Sequence, residues 1–153
     1  MPFSVKELHL LVVEDNIGDF VLIENHLKEE IEIPVIHHAK SFAKAKEILL
    51  QGIRIDVILL DLTLPDGTGE GLVNEISKLK GLIPVVVLTG FVDRDYGIKT
   101  LSLGISDYLL KDDLNASQLY RSITYSIERK RIEMKLRESE LNYQNLFHLS
   151  PMP

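Results

Sequence analysis

The chain has 153 residues, 45% hydrophobic and 26% charged, which suits one packed domain of common size with some length to spare and excludes a disordered chain. Its formal net charge of −6 argues against the basic footprint of a general nucleic-acid binder, and the absence of cysteine excludes disulfides and thiolate metal sites. No apolar run approaches the roughly 18 residues of a membrane span. The opening "MPFSVKELHLLVVEDN" does not read as a secretory signal, because acidic residues follow directly on a short apolar run. A cytoplasmic protein is the expectation.

In chain order, the first element is the apolar run "LHLLVV" (8–13), a strand that ends in the carboxylates Glu14 and Asp15. Phe20, Ile23 and Leu27 then recur at helical spacing. "PVIHH" (34–38) is a more mixed strand, suited to a sheet edge. Ser41 is placed as the N-cap of a helix whose apolar stripe is Phe42, Ala45, Ile48 and Leu49. "DVILL" (56–60) leads into Asp61 and then the turn signals Pro65, Gly67 and Gly69. A lone ionised carboxylate within such a run is costly, which places Asp61 at the carboxyl end of the strand. Leu72, Ile76 and Leu79 mark a third helix, "PVVVLT" (84–89) a strand, 94–103 a shorter fourth helix, and "SDYLL" (106–110) a second edge strand. Strands alternating with helices predict βαβ units and a parallel sheet covered on both faces.

The fifth helix departs from this rhythm. From Ala116 to about Gln144 no Pro or Gly interrupts it, a span of roughly 29 residues against a mean of about 11–12. Its second half, "IERKRIEMKLRESEL", is rich in both charges and must project beyond a compact domain. The register through Tyr125, Ile132, Leu136, Tyr143 and Leu146 is broken by Arg129 and Ser139. That pattern is compatible with a dimeric coiled coil and equally with a lone solvated linker.

In an open parallel α/β sheet, ligands bind outside the carboxyl ends of the strands. There the chain offers Glu14, Asp15, Asp61, Thr89 and Lys111. Crowded carboxylates resist joint ionisation unless a cation lies between them, and hard oxygen donors favour Mg²⁺ over zinc. A hydroxyl and an amine beside them complete a site for a tetrahedral dianion. A carboxylate there can attack phosphorus to give an aspartyl-phosphate.

"LLVVEDN", "LLDLTLPDGTG", "VVVLTG" and "SDYLLK" resemble the motifs of the response-regulator receiver domain of two-component signalling, over residues 7 to about 128. The resemblance implies a doubly wound five-stranded parallel sheet, flavodoxin-like with order 2-1-3-4-5, here followed by an extended C-terminal helix. It implies that Asp61 takes a phosphoryl group from the phosphohistidine of a histidine kinase or histidine phosphotransfer protein. Asp15, Asp61 and the backbone carbonyl of Thr63 would hold Mg²⁺, with Glu14 acting through a water or through Lys111. Thr89 and Lys111 would contact phosphoryl oxygens, Pro65 and Gly69 would shape the loop, and Tyr108 would be the aromatic that turns inward as Thr89 is drawn to the phosphate. The family often has Pro after the lysine, in a cis peptide; Asp112 stands here, and a trans bond is expected. Phe91, two residues after Thr89, is large for a position bordering the site and is expected to slow water attack on the acyl phosphate.

The end, "ESELNYQNLFHLSPMP", resembles the opening of a PAS sensor domain. The expected organisation is a receiver over 1–128, a linker helix over 129–143 and the start of a PAS-like domain over 144–153. The downstream partner would then be a PAS or kinase domain of the same chain, as in a sensor histidine kinase, with no direct nucleic-acid contact.

Other readings are weaker. An isolated Asp15 would read as a helix cap, and an isolated Lys111 as a solvated charge. His37 and His38 are adjacent on a strand, so they face opposite ways and cannot pair on a metal. A phosphohydrolase of the haloacid-dehalogenase kind would have a second acid two residues after its nucleophile, where Thr63 stands. A flavodoxin would follow its first strand with a Ser/Thr-rich phosphate loop, which is missing. A receiver that only docks partners would be expected to have lost Asp15, Asp61 or Lys111. The expectation is a switch module and not an enzyme, with at most slow self-dephosphorylation.

Overall fold

The computed structural model describes residues 6–90 and 103–149, with side chains to residue 145. The long strands are β1 (Glu7–Val13), β2 (Ile33–Ala39), β3 (Val57–Asp61), β6 (Val85–Thr89) and β7 (Asp107–Leu110), and a two-residue pair, β4 (Thr63–Leu64) and β5 (Gly67–Thr68), follows β3. The helices are α1 (Ile17–Glu30), α2 (Phe42–Leu50), α3 (Gly69–Leu79) and α4 (Ala116–Leu149), with a 3₁₀ turn over Lys111–Asp113. The long strands pair in parallel in the order β2-β1-β3-β6-β7. This is the expected flavodoxin-like order, with the mixed strands at the edges and the apolar ones at the centre.

Every residue of β3 and β6 is buried. Because side chains alternate across a strand, neighbours go to opposite cores. Leu11, Val13, Ile58, Leu60, Val85 and Val87 pack with Ala45 and Ile48 of α2 and Leu72, Val73 and Ile76 of α3. Leu10, Val12, Val57, Leu59, Val86 and Leu88 pack with Ile23 and Leu27 of α1 and Leu119 and Ile123 of α4. Two-sided burial is why these strands read as continuous apolar runs.

Ser41 caps α2 as expected, its hydroxyl accepting from the Lys44 amide at 3.1 Å. The cap of α1 is Asn16, whose side chain accepts from the Asp19 amide at 2.9 Å, so Asp15 is not spent on capping. Asn115 caps α4 by accepting from the Gln118 amide at 2.7 Å. α4 leaves the body after Ile127, and residues 131–145 are exposed throughout. The helix runs on to Leu149, past the position where the expected PAS-like segment starts. Phe91 and all but the last residue of the expected fourth helix, 94–103, lie outside the described residues.

Candidate functional site

The end of β1 is held on both sides. The Glu14 amide donates to the Ala39 carbonyl at 2.9 Å, one further rung of the β1–β2 ladder. The Glu14 carbonyl lies 2.7 Å from His38 Nε2, and the His38 ring stacks on Phe20 of α1 with centroids 3.6 Å apart. The Glu14 side chain is only 1% exposed. Asp61, the last residue of β3, is 7% exposed, and its Oδ1 accepts from the Thr63 amide at 3.3 Å. Carboxylate oxygens of Glu14, Asp15 and Asp61 lie within 4.8 Å of one another.

Lys111 opens the 3₁₀ turn after β7 and reaches across the mouth. Its ammonium donates to Glu14 Oε1 and to Asp19 Oδ2, the latter at 2.9 Å, and stands 3.5 Å from Asp61 Oδ1. Burial, then a hydrogen bond with the Asp61 carboxyl and its charge, push the Glu14 carboxyl up to about 7 against the pull of Lys111. Burial draws the Lys111 ammonium down, but hydrogen bonds to Glu14 and Asp19 and the charges of Asp61 and Glu14 outweigh it and leave it raised. A buried acid that holds a proton near neutrality, beside two more acids, is a site with too much negative charge for one lysine. The oxygen donor set therefore fits a hard divalent cation.

Thr89 ends β6 and is 2% exposed. The register pairs Asp61 with Leu88 and Thr89 with Leu110, so the hydroxyl-bearing residue lies at the same end of the sheet as Asp61 and Lys111. Tyr108 is half-buried on β7 against the α2–α3 core. The loop after Asp61 is tied to α2, since Asp66 accepts from the Phe42 and Ala43 amides at 2.8 and 3.0 Å. Those bonds, the Ala43 amide's foremost, hold the Asp66 carboxyl below its ordinary range. Gly69 has φ +59°, a left-handed conformation that favours glycine, and its amide donates to the Leu62 carbonyl at 3.1 Å. No cis peptide occurs among the described residues, so the Lys111–Asp112 bond is trans.

The structure thus brings Glu14, Asp15, Asp61 and Lys111 together and sets Thr89 at the same sheet end. Two contributors were not singled out from the sequence. Asp19 sits in the first turn of α1, where an acid reads as a partner of the helix dipole. The spacing Asn16–Asp19, a cap and a carboxylate one turn apart, is the signal that could have placed it at the mouth. His38, which the sequence showed only to be unable to pair with His37 on a metal, meets the Glu14 carbonyl.

A family model, the response regulator receiver domain, matches residues 10–124. The chain is 28% identical over 105 residues to the methanogenesis regulatory protein FilR1 of Methanothrix harundinacea (strain 6Ac), covering 67% of this chain and 24% of that protein. It is 31% identical over 111 residues to the sensor histidine kinase TmoS of Ectopseudomonas mendocina, covering 71% of this chain and 11% of that one. Its structure is similar to the signal receiver domain of a Vibrio parahaemolyticus protein described as a LuxO repressor, with a TM-score of 0.73 at 25% identity over 85% of this chain and 97% of the other. The chain spans only about a tenth to a quarter of the length of those two curated relatives. With the sheet order, the acids at the strand ends and the match over most of its length, the chain belongs to the response regulator receiver domain family.

Proposed function

We propose that this receiver is a phosphoacceptor switch with Asp61 as the acceptor. The observation that carries the reading is the buried Asp61 carboxylate at the end of β3, grouped with Glu14 and Asp15 and 3.5 Å from the Lys111 ammonium. In the transfer, an Asp61 oxygen attacks the phosphorus of a partner's phosphohistidine. The O–P bond forms as the P–N bond breaks, and the imidazole leaves with the electron pair and takes a proton from solvent. The step needs chiefly positioning and charge neutralisation. Lys111 neutralises one phosphoryl oxygen, Thr89 hydrogen-bonds another, and Thr63 orients Asp61 through its amide. Asp15, Asp61 and the Thr63 carbonyl, with Glu14 behind, would hold Mg²⁺, which would supply the remaining positive charge. Two residues after the acceptor stands Thr63 and not an acid, which fits a switch with slow self-dephosphorylation.

Phosphorylation shifts a pre-existing equilibrium in which Thr89 and Tyr108 move inward. A route to α4 exists: the Asp107 carboxylate accepts from the Tyr108 amide at 2.8 Å and from the Ser122 hydroxyl at 2.6 Å. The donor in this reading is a histidine kinase or phosphotransfer protein in the cytoplasm. The receiver of 1–128 then acts through the linker of 129–143 on a PAS or kinase domain, with Tyr125, Ile132, Leu136 and Tyr143 exposed along the helix. A receiver that only docks has no observation in its favour.

The test is incubation with a small acyl phosphate, with and without Mg²⁺, followed by intact mass. A single phosphoryl adduct that needs Mg²⁺ and is lost in Asp61→Asn is expected. An adduct of equal yield in Asp61→Asn would overturn the assignment.

A further inference from the structure

Resting on that reading, the geometry points to Asp19 as a positioning residue that holds Lys111 in competition with the phosphoryl group and so sets how readily Asp61 is charged. An ammonium has three N–H donors. Two are committed elsewhere, to Glu14 after β1 and to Asp19 on α1 at 2.9 Å, while Asp61 lies farther off at 3.5 Å. The third N–H is open to a phosphoryl group on Asp61, but an ammonium drawn toward that group moves away from its present partners, and one of these bonds lengthens.

Burial decides which. The Glu14 side chain is 1% exposed and that of Asp19 is 43% exposed. Releasing Glu14 would leave a buried acid without its cation, which is costly, whereas Asp19 can exchange the lysine for water. The bond to Asp19 is nonetheless built. The Asn16 side chain fixes the Asp19 amide at 2.9 Å, and Leu22, Ile23 and Leu114 line the niche the two charged groups share. Asp19 opposes phosphorylation in two ways. It holds the ammonium back from Asp61, and its own negative charge lies one ammonium away from an incoming dianion. The first turn of α1 is therefore a brake on the acceptor site.

The probe is beryllofluoride with Mg²⁺, titrated into the whole chain and into Asp19→Asn, which keeps size and polarity and removes the charge. Loss of a half-exposed pair and of like-charge repulsion should tighten binding by about two- to fivefold at low salt. The gap should close as salt is raised, because exposed charges are screened. Asp19→Glu should restore the weaker, wild-type affinity, which a merely structural disturbance would not do. Asp19→Ala guards against a peculiarity of the amide and should tighten binding likewise. Unchanged or weaker binding in both Asp19→Asn and Asp19→Ala, with wild type binding normally, would overturn the role of Asp19 alone. Failure of wild type to take up the probe would overturn the acceptor reading and this inference with it.

Discussion

The two halves of α4 lie in opposite surroundings. Leu119 and Ile123 are fully buried against α1 and the sheet, whereas Ile132, Leu136, Leu141 and Tyr143 are each more than half exposed. One continuous helix therefore has two sources of stability. The first half is helical because its apolar face is covered. The second rests on good helix formers and on ion pairs one turn apart, such as Arg131–Glu128 at 3.2 Å and Lys130–Glu133 at 3.6 Å. The body can position a site, and the projecting half can only transmit or pair.

Core truncation gives the largest contrast. Leu60→Ala should cost about 2–5 kcal/mol in urea unfolding, and Leu136→Ala no more than about 0.5 kcal/mol. A large loss for Leu136→Ala at high protein concentration, but not at low, would show that the projecting half is paired with a second copy.

The pH response should lie wholly in the body. Glu14 ordinarily titrates at 4.5 and is raised to about 7. Without a cation its contribution to stability is complete below about 4.5 and is lost as pH rises through about 7. Mg²⁺ binding has the opposite sign, since it needs the ionised acid. Its affinity, followed by calorimetry, should fall about tenfold per pH unit below about 7. A flat profile would mean that Glu14 is not part of the cation site.

Within the buried half, Ser122→Ala should destabilise by about 1–2 kcal/mol, because Asp107 loses its partner on α4. Hydrogen exchange near Tyr108 should rise with it. The smallest effect is expected where α4 leaves the body: Glu128→Gln should cost about 0.3–0.5 kcal/mol through loss of the pair with Arg131.

The sheet was legible because strands buried on both faces carry little but apolar residues, as "VILLD" and "VVVLT" do. The acids were legible because Glu14, Asp15 and Asp61 follow directly on those runs. The β4–β5 pair was not, since two residues per strand show no periodicity. Asp19 and His38 were missed for a related reason. Each acts through a side chain from another element, Lys111 for one and Phe20 for the other, and no local pattern records such a meeting. The trans bond after Lys111 followed from Asp112 alone, because only proline makes the cis form inexpensive.

The most direct test is chemical trapping of the acceptor. After treatment with an acyl phosphate and Mg²⁺, borohydride reduces an aspartyl-phosphate to homoserine, which peptide mass spectrometry locates. Homoserine at position 61 and nowhere else is predicted; trapping at Asp15, Asp19 or Asp66 with Asp61 unmodified would contradict the account.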